Sequence, residues 1–546
     1  MKGQNIFMTG LTILTCASAA GKNLPNQEAT KANSDNIEKR KPNVLFIMAD
    51  QWRKQALGYM HQDPVQTPNL DALASNAVSF DNTVSNNPVS GPNRACMFTG
   101  RYTINNGLWA NGTCVDTEAT SAMGRIFKEA GYSTGYIGKW HMNGIDDVVR
   151  DPSRRLGFDY WYQSIAHNHF KGRYYIPEES DDLVVKEGWG PTIETNVAID
   201  YIKNHKEDPF CLVVSYAPPH TGGGVGYEDR YQPGKKMRLG YGYAGPKEFE
   251  EIYQDNDYTN NLIRPNVKPT GHFEGTQDYA HAVPGYFGAV TAIDHEIGRL
   301  IKHLEEEGLL ENTIVVFTAD HGEMMGSQGL MTKGVPFEES EGVPMLFSWK
   351  GNINPARHEC VFSSIDIIPT LASLAGLKAT GADGQDYSPL IFGKKFKEPE
   401  YVFTEFNFGG IGEKGRPWRA VFSEDYVYII AGPSRLRNEF VTEGYVLYDR
   451  KNDPYQMNPI TKGMGYDKII KKYHKILEKH IREMNDPFLD KMWNPENGKL
   501  PCMLNVKKPV FDPNLTEKGL KRKIRDGYDP ITVETIININ ENCRTN

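Results

Sequence analysis

A short segment near residue 90 combines a hydroxyl nucleophile, a tight turn and a cation. Residues 90–101 read SGPNRACMFTGR. Glycine and proline beside Ser90 indicate a tight turn, and Arg94, four residues on, can face an anion held there. The alternative is a Gly-Pro turn that caps an ordinary helix starting near Asn93. The segment therefore predicts a candidate nucleophile, and other parts of the chain must support it.

Polar side chains also follow four predicted strands. The apolar runs 44–49, 134–137, 210–216 and 314–317 are typical of strands buried on both faces of a parallel sheet. Each polar group alone has an ordinary interpretation, as a helix cap, a solvated lysine or a loop residue. Because the carboxyl ends of parallel strands meet at one edge, their combination indicates a site. The residues are Asp50, Gln51, Lys139, His141, His220, Asp320 and His321.

Helical patterns alternate with these strands and predict the fold class. Residues 42–397 are expected to form an α/β domain with a large, mostly parallel central sheet flanked by helices. Residues 221–282 show little periodicity and predict a loop on the substrate side. Residues 398–546 begin with short alternating strands and one amphipathic helix, which predict a smaller C-terminal α+β domain of antiparallel sheet and helix. The predicted helices are 68–77, 123–130, 192–203, 289–307 and 365–374, and a further strand is 345–349.

The bulk composition describes a globular protein without affinity for nucleic acid. The 546 residues are 39% hydrophobic and 24% charged, enough for more than one core. A formal net charge of -8 offers no basic surface of the kind that nucleic acids require. The seven cysteines have neither close pairs nor metal-type spacing, so no disulfide framework is expected.

The N-terminus predicts export. Residues 1–20 have the order of a signal peptide, with Lys2, an apolar run and small residues, and polar residues 21–41 predict a linker. Residues 17–19 (ASA) fit ordinary signal peptidase, whereas Cys16 ends a loose lipoprotein box, so a soluble periplasmic form and a lipid-anchored form both stay open. No later segment approaches the ~18 apolar residues of a membrane helix, and no transmembrane segment is expected.

Together these motifs resemble the type I, formylglycine-dependent sulfatases of the alkaline-phosphatase superfamily, and in particular the serine-type bacterial carbohydrate sulfatases. The resemblance covers about residues 43–376 and implies an alkaline-phosphatase-like fold. It is highly specific because every motif falls in the family's order, although Asn93 is a mild departure from the signature. The motifs are NVLFI with Asp50 and Gln51, the Ser90 signature, GKWH at 138–141, PPH at 218–220, TADHGE at 318–323, and Lys333.

The resemblance implies a modified residue and a metal. Ser90 would be oxidised to formylglycine by an anaerobic serine-type sulfatase-maturating enzyme. Asp50, Gln51, Asp320, His321 and an oxygen of modified Ser90 would bind one divalent ion, usually calcium. Many members have Asp in place of Gln51 and Asn in place of His321, so the metal is less certain. The oxygen ligands suit calcium or magnesium, and the histidine leaves another divalent metal open.

The resemblance also implies a catalytic sequence. Arg94, Lys139, Lys333 and the metal would supply the positive charge that a sulfate ester needs. The metal and Asp320 would help one hydroxyl of the aldehyde hydrate to attack sulfur, and His220 with Lys333 would protonate or stabilise the departing alcohol. His141 would then take the proton from the other hydroxyl, which expels sulfate and restores the aldehyde.

The substrate expected by analogy is a sulfated carbohydrate, such as a glycosaminoglycan, mucin or algal glycan fragment. Candidate sugar contacts are His167, His169, Arg173, Trp418 and Arg419. Surface or packing roles are the alternative for all five.

Two other functions stay open. A phosphoester hydrolase or phosphotransferase of the same superfamily would use unmodified Ser90, but the signature through Thr99 and the single metal set argue against it. A non-catalytic protein that binds sulfated glycans would keep the pocket without turnover, but no expected catalytic position is vacant.

Overall fold

The computed structural model describes residues 40–144, 147–165, 168–222, 242–268, 279–407, 417–431, 445–486 and 488. Lys41–Asn546 forms one compact unit. The predicted signal peptide and nearly all of the predicted linker therefore lie outside the described residues. Among the described residues, no helix combines the length and apolar character needed to cross a membrane.

A ten-stranded mixed sheet forms the centre of this unit. Its spatial order is β10-β2-β9-β8-β1-β7-β3-β4-β5-β6. Strands β5 and β9 run antiparallel to their neighbours, and the other eight point in one direction. The strands are β1 (Asn43–Asp50), β2 (Ala77–Val84), β3 (Ser133–Lys139), β4 (Tyr160–Ser164), β5 (Lys171–Tyr175), β6 (Val184–Glu187), β7 (Phe210–Pro219), β8 (Thr313–Ala319), β9 (Met345–Ser348) and β10 (Ala356–Ser363). The predicted α/β class with a mostly parallel sheet is confirmed.

Helices cover both faces of this sheet. Successive side chains of β1 point to opposite faces, so Leu45 and Ile47 pack with α1, α5 and α7, whereas Phe46 and Met48 pack with α2, α4 and α9. This burial on both sides explains why β1 is continuously apolar. The helices are α1 (Pro68–Ala74), α2 (Ser90–Thr99), α3 (Thr103–Asn106), α4 (Met123–Glu129), α5 (Gly190–His205), α6 (Lys247–Gln254), α7 (Tyr279–Glu306), α8 (Glu338–Glu341), α9 (Ile367–Leu374) and α10 (Ser388–Ile391).

Some boundaries differ from the sequence-based predictions. Helix α7 begins at Tyr279 rather than at residue 289, and Pro284 lies inside it. The predicted loop 221–282 therefore contains the start of α7 and all of α6, while its residues 223–241 and 269–278 lie outside the described residues. Helix α2 begins at Ser90 itself, not near Asn93.

A separate four-stranded antiparallel sheet follows, as predicted. Its strands are β11 (Val402–Phe406), β12 (Trp418–Phe422), β13 (Tyr426–Ala431) and β14 (Tyr445–Asp449), and α11 (Asp467–Glu483) packs on one face. The other face packs on residues beside the large sheet that include Val89, Met324 and Phe337. The predicted domain boundary between residues 397 and 398 stays a prediction.

Candidate active site

Four adjacent parallel strands deliver the polar residues to one edge of the large sheet. Strands β8, β1, β7 and β3 are neighbours, and they end at or just before Asp320, Asp50, His220 and Lys139. The prediction that these side chains meet is supported by direct contacts among them. Lys139 Nζ donates to Asp50 Oδ2 at 2.5 Å. Asp320 and His321 follow β8 and lie beside Asp50 in the same buried region.

Asp50, Asp320 and His321 form a group that fits a metal ion. One ligand atom from each lies within 4.8 Å of the other two. His321 Nδ1 donates to the carbonyl oxygen of Gly322 at 3.0 Å, which leaves the lone pair of Nε2 directed at the two carboxylates. A histidine fixed in this way through its second nitrogen is typical of a metal ligand. Burial also lowers the pKa of His321, which favours the neutral ring that a metal binds.

Ser90 lies against this group. It is the first residue of α2, and only 1% of its surface is exposed. Its Oγ lies 3.0 Å from His321 Nε2 and 3.4 Å from Asp50 Oδ1. The N-terminus of α2 adds a partial positive charge beside this oxygen. The Ser90 side chain is therefore next to the atoms that could bind a metal, and its role as the nucleophile stays a prediction.

Arg94 lies one turn further along α2 and binds protein groups. Its guanidinium donates to Asp320 Oδ2 at 2.8 Å and to Asp50 Oδ2 at 3.2 Å. It also donates to the carbonyl oxygen of Lys139 and to Ser215 Oγ. Burial alone would lower the pKa of Arg94, but Asp320 and Asp50 outweigh it and raise that pKa. Arg94 therefore fixes the two carboxylates. This is a different contact from the bound anion that its spacing from Ser90 suggested.

The carboxylate of Asp50 is held ionised. Its burial would raise its pKa, but the neighbouring cations, Lys139 foremost and Arg94 with it, hold the pKa of Asp50 well below its usual range. A carboxylate must be ionised to bind a divalent metal, and Asp50 meets this requirement.

His220 and Lys333 form a contact pair on the other side of the site. His220 Nδ1 donates to the carbonyl oxygen of Thr221 at 2.6 Å, and its Nε2 accepts from Lys333 Nζ at 2.8 Å. Lys333 Nζ also donates to Gln51 Oε1 at 2.5 Å. Loss of hydration lowers the pKa of Lys333 below that of a free lysine. Gln51, a predicted metal ligand, thus directs its amide oxygen at Lys333.

His141 is held through its backbone. It has a left-handed φ of 62°, and its N–H donates to Asp147 Oδ2 at 2.7 Å. Asp147 Oδ1 accepts from the N–H of Asn143 at 3.1 Å, and Gln163 donates to the same loop. Burial raises the pKa of Asp147 to about 7, although these N–H donors oppose the rise. The sequence analysis missed Asp147, because no local pattern indicates that it binds back to His141.

The described residues among the predicted sugar contacts have different surroundings. His169 is buried and donates from Nε2 to the carbonyl oxygen of His220 at 2.8 Å, so it supports that histidine. Arg173 is exposed on β5. Trp418 donates to the carbonyl oxygen of Gly334. His167 lies outside the described residues.

Arg419 has structural partners. It pairs with Asp486 at 2.5 Å and lies 4.6 Å from the ring centre of Phe488. Like Trp418 it is buried, and these positions give no support to a sugar contact, which stays a prediction for both residues.

Comparison with known proteins agrees with this geometry. Residues 42–377 match the family model described as Sulfatase, and residues 326–483 match the model described as N-sulphoglucosamine sulphohydrolase, C-terminal. An ulvan-active sulfatase of Formosa agariphila is 34% identical over 88% of this chain and 87% of its own. An N-acetylglucosamine-6-O-sulfatase of Bacteroides thetaiotaomicron is 26% identical over 84% and 89% of the two chains.

A solved structure extends the match to the fold. It is a Bacteroides thetaiotaomicron protein from the metabolism of multiple glycosaminoglycans, with 26% identity and a TM-score of 0.70 over 82% of this chain and 97% of its own. The family model spans the strands that end at the site and also includes Ser90 and Lys333. By its motifs, its fold and its relatives, this chain belongs to the sulfatase family.

Proposed function

We propose that this sulfatase removes O-sulfate groups from sulfated carbohydrates through a formylglycine derived from Ser90. The observation that carries the proposal is the position of Ser90 Oγ, which touches both His321 Nε2 and Asp50 Oδ1 at the start of α2. An aldehyde hydrate at this residue would supply an oxygen nucleophile. A divalent ion, with calcium as the expected species, would supply positive charge to the sulfate oxygens and the nucleophile.

The charges around Ser90 support a requirement for the metal. Three carboxylates and three cations lie in the site. Four of them pair directly, and the other two are joined through Gln51, so the formal charges of the six groups cancel. A bound divalent ion would give this network a net charge of +2, which favours an anionic sulfate ester. The six groups are Asp50, Asp320, Glu323, Arg94, Lys139 and Lys333.

The histidines and lysines have separate tasks in this proposal. Lys333 Nζ and His220 Nε2 are in contact, so the pair can deliver a proton to the departing alcohol oxygen. His141 would take the proton from the second hydroxyl when sulfate leaves. Its backbone bond to Asp147 fixes its position for that step. Lys139 keeps Asp50 ionised.

The relatives support a carbohydrate substrate. The two named above are called an ulvan-active and an N-acetylglucosamine-6-O-sulfatase. Export to the periplasm, in soluble form or anchored through Cys16, would give the enzyme access to such glycans. Conversion of Ser90 would depend on an anaerobic serine-type maturating enzyme in the host.

The test is sulfate release from a panel of sulfated monosaccharides and disaccharides. The protein is co-expressed with a serine-type maturating enzyme, and mass spectrometry confirms the converted Ser90. We expect release from one regioisomer, and no release by Ser90→Ala. Phosphate release without sulfate release would favour a phosphoester hydrolase, and glycan binding without release would favour a binding protein.

A second measurement tests the modification. Protein expressed without the maturating enzyme keeps Ser90 and is expected to release almost no sulfate. High activity from protein shown to be wholly unmodified would contradict the formylglycine mechanism.

A further inference from the structure

Glu323 is a fully buried carboxylate two residues after His321, outside the expected ligand and catalytic sets. Its exposed fraction is 0%. Its Oε1 accepts from the backbone N–H of Met325 at 2.8 Å and from that of Thr332 at 2.7 Å. Met325 and Thr332 both have left-handed φ values, 41° and 68°. Such a backbone is costly for these residue types, so the two hydrogen bonds stabilise the loop that leads to Lys333.

The second oxygen of Glu323 determines how Gln51 is oriented. Glu323 Oε2 accepts from Gln51 Nε2 and from the hydroxyl of Tyr243, the latter at 2.6 Å. The Tyr243 oxygen in turn lies 3.2 Å from Gln51 Nε2 and accepts from it. An ionised carboxylate only accepts hydrogen bonds, so it selects the amino side of the Gln51 amide. Gln51 Oε1 consequently faces Lys333 Nζ.

An inverted amide would place two donors in contact. If Gln51 were turned over, its Nε2 would meet Lys333 Nζ, and its Oε1 would meet the carboxylate of Glu323. Both contacts are repulsive, and neither leaves the Gln51 oxygen facing Lys333 Nζ. The orientation of Gln51 therefore depends on a carboxylate at position 323.

We propose that Glu323 is a positioning residue that fixes the orientation of the Gln51 amide, with Oε1 facing Lys333 Nζ, and holds the Lys333 loop. The inference rests on the role of Gln51 as a metal ligand, expected from the family resemblance, and on the proposed role of Lys333. The hydrogen bond between positions 51 and 323 needs one amide and one carboxylate. Exchanging the two groups between these positions preserves the bond. A swapped pair would still present an oxygen to Lys333.

The experiment exchanges the two groups. Glu323→Gln, Gln51→Glu and the double variant are prepared with Ser90 unmodified, and Ca²⁺ affinity is measured by calorimetry, so no turnover is needed. Glu339→Gln is the matched control, because Glu339 is a buried carboxylate that binds Arg264 and Asn266. Thermal unfolding verifies that each variant folds. If Glu323→Gln does not fold, Glu323→Asp is used in its place. This variant keeps the charge and shortens the side chain.

We expect Glu323→Gln to weaken Ca²⁺ binding about 10- to 100-fold, the usual effect of losing a group that orients a metal ligand. The control should retain wild-type affinity. The double variant should bind Ca²⁺ at least about tenfold more tightly than the product of the two single effects predicts. If charge alone mattered, the effects of the two single variants on Ca²⁺ affinity would simply multiply in the double variant. A double variant that binds Ca²⁺ less than about tenfold more tightly than this product would overturn the proposal.

The remaining outcomes also decide. Wild-type affinity in Glu323→Gln or, where it is used, in Glu323→Asp would overturn the proposal. A wild-type protein that binds no Ca²⁺ would overturn it together with the calcium assignment. A wild-type protein that binds Ca²⁺ with the expected coupling but releases no sulfate after maturation would support the role of Glu323 and contradict the proposed function alone.

Discussion

The junction between the two sheets contains a buried ion cluster whose contribution to stability depends on pH. Glu338, in α8, pairs with Lys54 through Oε1 and with Arg450 through Oε2, the latter at 3.2 Å. All three side chains are about 10% exposed. Burial would raise the pKa of Glu338, but Lys54 and Arg450 outweigh it and lower the pKa from 4.5 to about 2. Glu338→Gln removes this charge and keeps the shape.

The magnitude follows from the pKa shift. A shift from 4.5 to about 2 is about 2.5 units, which at 1.36 kcal/mol per unit is about 3 kcal/mol of unfolding free energy. The folded protein binds the proton on Glu338 more weakly than the unfolded chain does. This stabilisation is therefore complete above pH 4.5 and is lost as the pH falls from 4.5 toward 2, with about 2 kcal/mol gone by pH 3.

Thermal unfolding between pH 7 and pH 3 measures the effect. For 546 residues the unfolding entropy is about 1 kcal/mol per kelvin, so Glu338→Gln should lower Tm by about 3 °C at pH 7. The difference between variant and wild type should shrink to about 1 °C at pH 3. Glu478→Gln, which removes an exposed pair with Arg482, should not change Tm. An unchanged Tm at pH 7, or a difference that stays constant with pH, would refute the reasoning.

Three further predictions concern the site. Chelation of divalent ions should abolish sulfate release and Ca²⁺ should restore it, because the side-chain charges alone cancel; full activity in excess chelator would contradict this. Gly91→Ala should lower kcat at least about tenfold, since its Cβ would lie 2.8 Å from Asn111 Oδ1 and 2.9 Å from the carbonyl oxygen of His141. Unchanged kinetics would show that the segments containing Asn111 and His141 shift without affecting the site. Asp147→Asn should lower kcat by about tenfold at unchanged Ca²⁺ affinity, because its amide cannot accept from His141 with the same strength; a matching loss of Ca²⁺ affinity would instead indicate general disruption.

The sequence identified the central strands because both of their faces are buried. A strand such as β1 is apolar at every position, which gives a strong local pattern. Strand β10 was missed because its first half, ARHE, is polar and largely exposed. Strand β9 was predicted, but its antiparallel direction was not, because direction depends on its neighbours β2 and β8 and not on its own residues.

The site residues were predictable only where a motif contains them. Asp50, Ser90, Lys139, His220 and Asp320 belong to short motifs, and Lys333 was predicted from its place in the family's order. The structure brings these six residues together. Asp147 and Tyr243 have no such signal, since each acts through a contact that depends on the folded chain. Glu323 lies within the motif at 318–323, yet its role appears only when Gln51 and Thr332 are seen beside it.

The strand order has a consequence for synthesis of the protein. Strand β1 leaves the ribosome early, but its two neighbours in the sheet, β7 and β8, begin only at Phe210 and Thr313. The apolar strand β1 therefore lacks its partner β8 while the residues between Asp50 and Thr313, nearly half of the chain, are made. Such long-range pairing makes folding slow and exposes the nascent chain to aggregation. Efficient production should therefore depend on chaperones that shield this N-terminal strand.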